Sequence, residues 1–299
     1  MDRSGRSRFS PLHPLWALCL LALALSGAAP VEQPAPEDGT ARVREALRAA
    51  QEALSRVQDY TGLLIMQERF PAWVLTRTME FKVQKPLAVY AKLLEPNKGR
   101  EFIFRSGWNQ ERIRVHNGSF PDITLNLDPF GNRAMAYNHH PLYEFGLESA
   151  LSFVTQNFQR ALADPACAIS PVQPANLFGE PMLRLEMRCP RSGRFVTADS
   201  DTAWTLARKT GQDMYVLLYN NPQLKGGPNE VIRSAPVFVP DYYGGSLEAY
   251  FHADTSILRK LVVTDFQGQI YESYEFHALR TNAGLGPRDF DPDNPDYDF

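Results

Sequence analysis

The sequence predicts an α+β protein built on one wide, strongly curved antiparallel β-sheet, an open half-barrel covered by two helices. Three observations lead to this prediction. Short segments of alternating apolar and polar residues recur along most of the chain. Only two segments carry apolar residues at helical spacing, and they do not alternate regularly with the strands. Short turns join many of the strands, which must therefore pair in an antiparallel manner.

The two helices are predicted at residues 42–58 and 142–163. Their apolar stripes comprise Val43, Ala46, Leu47, Ala50, Leu54 and Val57 in the first, and Leu147, Ala150, Leu151, Val154, Phe158, Ala161 and Leu162 in the second. Pro165 ends the second helix because proline cannot continue it. A wide sheet accumulates twist and curls, so we expect these helices to fill its concave side.

About ten strands are predicted from period-two patterns and short apolar runs bounded by turn residues. They lie at 79–83, 87–93, 102–104, 113–115, 123–127, 183–187, 214–218, 247–251, 258–266 and 270–276. Residues 220–240 contain four prolines and two glycines and are predicted to form a loop. A connection of this length is uncommon, so it indicates either a functional flap or an error in the strand count.

The amino terminus has the pattern of a secretory signal peptide. Arginines at positions 3, 6 and 8 precede the apolar run 15–25, and small residues follow at 26–29. The alternative, a membrane anchor, is weaker because a spanning helix needs about 20 apolar residues. The predicted organisation is a signal peptide at 1–28, a linker at 29–40, a single domain at 41–283 and an acidic tail at 284–299.

Composition limits the choice of partners. The formal net charge of −3 gives no electrostatic reason to bind nucleic acid or an anionic membrane surface, and no integral membrane segment is predicted after signal cleavage. Export implies a periplasmic location, which is oxidising. Only Cys167 and Cys189 remain in the mature chain, so we expect a disulfide between them; the alternative is two buried thiols.

No catalytic, metal-binding or cofactor-binding motif is present. His139 and His140 are the best metal candidates, but the proline after them prevents a helix and adjacent strand residues point apart. A surface or turn role is therefore predicted for both. Glu68, Glu95 and Glu101 are possible catalytic carboxylates, yet no pair has a required spacing. We expect no cofactor, no metal and no enzymatic activity.

Four segments resemble an exported bacterial family known only as a domain of unknown function, which is similar in fold to the LolA/LolB lipoprotein carriers and the RseB sensor domain. They are QERF (67–70), KVQKPLAVYAKLLEPNKGREFIF (82–104), NLDPFGNRAMAYNHHPLYEFGL (126–147) and FDPDNPDYDF (290–299). The resemblance covers most of residues 42–190 and 245–299. It implies a LolA-like domain whose curved sheet holds acyl chains on its concave apolar face.

The leading hypothesis is a periplasmic carrier or sensor for a lipid, acyl chain or lipoprotein. The expected ligand-binding residues of the apolar face are Met79, Phe81, Val83, Val89, Leu93, Phe102 and Phe104; the alternative is that they form ordinary core. The second hypothesis is an envelope-associated scaffold that holds a protein partner through the sheet edge or residues 220–240. The third is a hydrolase whose site assembles only in space.

Overall fold

The computed structural model of the protein describes residues 39–70, 72–224 and 231–299. The predicted signal peptide, and the predicted linker up to residue 38, lie outside the described residues. Helix α1 begins at Gly39, close to the predicted start of the domain.

The described residues contain five α-helices and fourteen β-strands. The helices are α1 (Gly39–Ser55), α2 (Asn132–Met135), α3 (Leu147–Ala163), α4 (Ala203–Thr210) and α5 (Met214–Asn220). The strands are β1 (Asp59–Phe70), β2 (Trp73–Gln84), β3 (Ala88–Glu95), β4 (Glu101–Arg105), β5 (Ile113–His116), β6 (Thr124–Leu127), β7 (Ala168–Ile169), β8 (Gln173–Leu177), β9 (Glu180–Arg188), β10 (Gly193–Ala198), β11 (Ala235–Pro240), β12 (Ser246–His252), β13 (Leu258–Thr264) and β14 (Ile270–Thr281).

Twelve strands form one antiparallel sheet. Its order is β6-β5-β4-β3-β2-β1-β14-β13-β12-β9-β7, and β8 also pairs with β9. The end strands β6 and β7 do not pair with each other, so the sheet stays open. Strands β10 and β11 form a separate antiparallel pair. The predicted α+β class with an open antiparallel sheet is confirmed.

The two long helices α1 and α3 are those expected to fill the concave side, but α3 begins later than predicted. Residues 142–144 form a separate 3₁₀ turn, and Gly146 with φ of +104° separates this turn from α3. The Tyr60 hydroxyl accepts a hydrogen bond from the Leu147 amide at 2.8 Å and donates one to Glu148 at 2.6 Å. A side chain at position 146 would collide with this hydroxyl. Tyr60 therefore fixes where α3 starts.

The strand predicted at 214–218 is wrong, because these residues begin helix α5. The carboxylate of Asp213 accepts a hydrogen bond from the Val216 amide at 2.9 Å and caps the helix. All of residues 214–218 are buried, and a short apolar run that is buried on every side does not distinguish a strand from a helix. The predicted loop 220–240 is also wrong at its end, where Ala235–Pro240 forms β11.

The structure joins Cys167 and Cys189 in a disulfide, with the sulfur atoms 2.07 Å apart. Cys167 immediately precedes β7 and Cys189 immediately follows β9. The bridge thus reinforces the short pairing of β7 with β9 at one end of the sheet.

The acidic tail packs on the convex face of the sheet. Phe290 is 1% exposed and lies against Tyr90 and Ile103, which point away from the concave side. The ring of Tyr297 stacks on Tyr90 with the centroids 3.9 Å apart. The Lys82 ammonium group donates to the Tyr297 hydroxyl at 3.0 Å and pairs with the Asp289 carboxylate at 2.7 Å. Apolar burial and charge pairing together fix the tail.

A cavity with a charged end

A cavity of about 260 Å³ lies between the concave face of the sheet and the segments that cover it. Strands β1 to β6, β13 and β14 supply one wall. The cover consists of residues 129–146, which we call the cover segment, and the first half of α3. Most of the side chains around the cavity are apolar, and the charged ones include Glu68, Arg77, His140 and Glu272.

The seven residues predicted to bind a ligand divide into two groups. Met79, Leu93 and Phe102 line the cavity, whereas Phe81, Val83, Val89 and Phe104 are buried outside its wall. Phe81 packs edge-on against Tyr60 and Phe145 at centroid distances of 6.0 Å. The concave face is therefore filled core where these rings meet, and it is hollow toward the other end of the same strands.

Two buried carboxylates lie at the hollow end, and together with Arg77, His139 and His140 they form what we call the charged end. Glu68 on β1 and Glu272 on β14 are each 1% exposed and stand directly opposite each other in the strand register. Like charges in this position destabilise a sheet, and a buried charge requires a partner. The surrounding residues must therefore supply positive charge and hydrogen-bond donors.

Glu68 joins the sheet to the cover segment. One carboxylate oxygen pairs with the Arg77 guanidinium at 2.5 Å. The other oxygen accepts hydrogen bonds from the His139 backbone amide at 3.1 Å and the Tyr274 hydroxyl at 2.8 Å. Arg77 also donates to the side chain of Asn138 at 2.7 Å. Residues 138 and 139 are thus held against β1 and β2.

Glu272 is surrounded by both histidines. One of its oxygens lies 3.1 Å from Nδ1 of His139 and 3.2 Å from Nε2 of His140, and it accepts a hydrogen bond from the Tyr243 hydroxyl at 2.8 Å. Nε2 of His139 faces the carbonyl oxygen of Arg69 at 3.1 Å. Both ring nitrogens of His139 therefore face acceptors, and only the doubly protonated imidazolium satisfies both.

The pKa values agree with this assignment. Burial alone would lower the pKa of His139, but its hydrogen bond to Glu272 and the negative charge of Glu68 raise the pKa above its ordinary value. Burial likewise opposes charge on His140, yet Glu272 and Glu144 raise its pKa well above the ordinary value. Burial would raise the pKa of Glu272, but the two histidines bring it down to about 2. Glu272, His139 and His140 therefore form an ionised cluster.

The surface position predicted for His139 is wrong, although both histidines lie in a bend of the chain, and His140 faces the cavity. The His139 side chain is fully buried and packs between the rings of Tyr215 and Tyr271, with centroids at 5.2 and 4.6 Å. The Tyr215 hydroxyl donates to the Met135 carbonyl at 2.9 Å. Helix α5, which carries Tyr215, therefore supports the cover segment from behind.

The three glutamates considered as catalytic candidates occupy different places. Glu68 belongs to the charged end, and Glu95 is exposed at the end of β3. Glu101 is buried on the convex face, where it pairs with Lys92 at 2.5 Å. Only one of the three therefore reaches the cavity.

Residues 57–299 match the family described as protein of unknown function (DUF1571). The chain belongs to this family. The prediction that it is a member of a family of unknown function is confirmed. No curated protein matches the chain.

Several solved structures are similar to this chain. The lipoprotein LppX of Mycobacterium tuberculosis has 11% identity and a TM-score of 0.41, with 82% of this chain and 98% of LppX covered. A LolA superfamily protein of Nitrosomonas europaea has 7% identity and a TM-score of 0.32, with 83% and 96% covered. MucB in the Pseudomonas aeruginosa MucA/MucB complex has 12% identity and a TM-score of 0.34, with 85% and 60% covered. At these identities nothing about a ligand is carried over.

The charged end is better suited to holding charge than to transferring protons. A carboxylate with a pKa of about 2 is a weak base near neutral pH, and all four ring nitrogens of His139 and His140 are engaged by acceptors. In the part of the chain that the structure describes, no group of three or more His, Cys, Asp or Glu could hold a metal ion. In the same residues, no helix is long and apolar enough to cross a membrane.

Sequence reasoning missed most of the charged end, although one signal was present. Leu64, Met66 and Glu68 share one face of β1, so a period-two pattern places a carboxylate on the buried face. A charge at such a position needs a buried partner. The partners His139 and Glu272 lie far away along the chain and were not identifiable from their own neighbours.

Proposed function

We propose that this protein is an exported, periplasmic carrier or sensor that binds the apolar chain of a lipid or lipoprotein in the concave cavity. The observation that carries the proposal is the combination of a mostly apolar cavity wall with one charged end. Ligand pockets typically have this composition, with a few placed polar groups that orient the ligand. Met79, Leu93 and Phe102 belong to the proposed binding surface.

The size of the cavity favours one chain rather than several. Its volume of about 260 Å³ is slightly below the range of roughly 300–1,000 Å³ found for small-molecule pockets. Each methylene group buried there contributes about 0.8 kcal/mol. Ten buried methylenes would contribute about 8 kcal/mol, which corresponds to micromolar binding before the cost of ordering the chain is subtracted.

The test is a titration of a fluorescent fatty acid against two matched variants of α3. Ser149 lines the cavity, whereas Ser152 is exposed on the same helix. Ser149→Trp should fill part of the cavity and weaken binding at least tenfold. Ser152→Trp adds the same side chain outside the cavity and should leave the affinity unchanged. Melting curves of both variants establish that they fold.

Two results would overturn the carrier proposal. One is the absence of saturable uptake of any acyl probe by the wild type. The other is equal binding by the wild type and a folded Ser149→Trp variant, because the probe would then bind elsewhere.

A second candidate function, an envelope scaffold for a protein partner, is favoured by the free edge of the sheet. Strand β6 ends the sheet, and beside it Phe120 is 96% exposed and Ile123 43% exposed. A free edge with apolar side chains can accept an extended segment of another protein. If acyl probes fail to bind, loss of partner binding after Ile123→Pro would support this function.

A further inference from the structure

Two arginines line the cavity without a carboxylate partner among the described residues. Arg100 donates to the side chain of Asn117 at 2.7 Å, and its Nε is buried without a hydrogen-bond partner. Arg133 is exposed at the cavity and forms no ion pair with any residue that the structure describes. Arg77 differs from both because Glu68 neutralises it.

The carboxylates of the cavity wall are already paired. Glu68 pairs with Arg77, and Glu272 pairs with both histidines. Glu144 pairs with His140 at 2.8 Å. The charges of Arg100 and Arg133 are therefore in excess, because the described residues of the cavity wall include no further carboxylate to balance them.

The two arginines approach the cavity from opposite walls. Arg100 is the residue across from Leu93, whose amide donates to the Arg100 carbonyl at 2.8 Å. It therefore continues the cross-strand row of Met79 and Leu93 on the concave face. Arg133 belongs to α2 in the cover segment. The sheet wall of the cavity thus carries one of these arginines and the cover carries the other, each beside apolar side chains.

We propose that the cavity takes an amphiphile with an anionic head group, a carboxylate or a phosphate, which Arg100 and Arg133 recognise while the chain lies on the apolar wall. This inference rests on the proposed function and specifies its ligand class. Guanidinium groups bind both anions through paired, charge-assisted hydrogen bonds. Such bonds are stronger at a partly desolvated site than in water.

The experiment compares three probes that share one chain: dodecanol, dodecanoate and dodecyl phosphate. We expect the wild type to bind each anionic probe about tenfold or more tighter than dodecanol, as one charged hydrogen-bonded contact implies. Arg100→Gln and Arg133→Gln should each lower this preference several-fold, and together they should abolish it. The affinity for dodecanol should stay unchanged, because the apolar wall is intact.

Arg114→Gln is the matched control. This substitution also removes one positive charge near the same edge of the sheet. Arg114 lies on the convex face, however, with its guanidinium 5.4 Å from the centroid of the Trp108 ring. This variant should keep the wild-type preference. If it loses the preference to the same extent, the effect comes from net charge and the inference is overturned.

The remaining outcomes separate this inference from the proposed function. If none of the three probes binds, the carrier function itself fails. If all three bind equally and neither arginine variant changes their affinities, the carrier function stands and the head-group inference is wrong. Inorganic phosphate tests the source of the anion. If inorganic phosphate binds as tightly as dodecyl phosphate, the site binds free anions, and the proposal that its ligand is an amphiphile is overturned.

Discussion

The two faces of strands β3 and β4 carry similar side chains but are covered in different ways. On the convex face, Tyr90 and Ile103 are buried by the protein's own tail, with Phe290 packed against them. On the concave face, the neighbouring residues Leu93 and Phe102 face a cavity. Apolar side chains on a sheet face therefore do not by themselves identify a binding site. What distinguishes the two faces is whether the chain itself fills the space above them.

The buried charges of the two faces differ in the same way. On the convex face, Glu101 is satisfied by Lys92 and by the backbone amide of Asp298 in the tail. On the concave face, Glu68 and Glu272 bind residues of the cover segment, which also forms the cavity wall. On the convex face, charge pairing helps to hold the tail directly against the sheet. On the concave face, it holds the cover segment in place above the cavity.

The largest expected effect on stability comes from the buried charges on the concave face. Glu272→Ala should lower the free energy of unfolding by about 3–5 kcal/mol, because it leaves the buried His139 and the partly buried His140 without their shared counter-charge. Glu248→Ala is the control, since Glu248 pairs with Arg184 at a partly exposed position and should contribute less than about 1 kcal/mol. Urea denaturation at pH 6 measures both. A loss for Glu272→Ala as small as that of the control would refute the ionised cluster.

A somewhat smaller effect is expected on the convex face. Phe290→Ala should lower the free energy of unfolding by about 3 kcal/mol, because a fully buried aromatic side chain is removed. The affinity for an acyl probe should not change, since Phe290 lies on the opposite side of the sheet from the cavity. Urea denaturation and probe titration of the same variant test both points. Parallel losses of stability and affinity would show that the two faces are coupled.

The contrast also explains how far the sequence alone could predict this molecule. Local alternation predicted the open sheet, and helical spacing predicted α1 and α3, because both patterns record which side of an element is buried. Helix α5 was missed, since a run that is buried all round has no exposed face to reveal its period. Met79, Leu93 and Phe102 share their pattern with Phe81 and Val89, and only three-dimensional packing determines which of them face empty space.

The charged end is the part of the site that the sequence predicted least well, and the reason is related. Glu68 and Glu272 are brought together by the register of β1 and β14, which no local pattern specifies. His139 and His140 precede a proline and have the local sequence of a turn. The burial of His139 depends on Tyr215 of α5 and on two distant carboxylates, so long-range contacts decide its role.

The smallest expected effect is a pH dependence that comes from the concave face. The folded-state pKa values of His139 and His140 are raised above the ordinary value of about 6.5. The stability that these histidines contribute is therefore complete below about pH 6.5 and is lost as the pH rises through the folded values. Glu272 has the opposite sign, since its pKa is lowered to about 2. Its contribution is present above about pH 4.3 and is lost as the pH falls toward 2.

Other ionisable groups change their protonation state over the same pH range, so a variant is needed that alters only the contribution of one histidine. His140→Gln removes one of the two raised groups, while its amide retains the capacity to hydrogen-bond. Urea denaturation between pH 6 and pH 8.5 should show the wild type losing about 1 kcal/mol or more, since a shift of one pKa unit is worth about 1.4 kcal/mol. His140→Gln should lose distinctly less over this interval. His252→Gln, at the end of β12 and outside the cluster, should keep the wild-type slope.

If the wild type and His140→Gln show the same slope of stability against pH, His140 is not protonated in the folded protein. The buried charge of Glu272 would then depend on His139 alone.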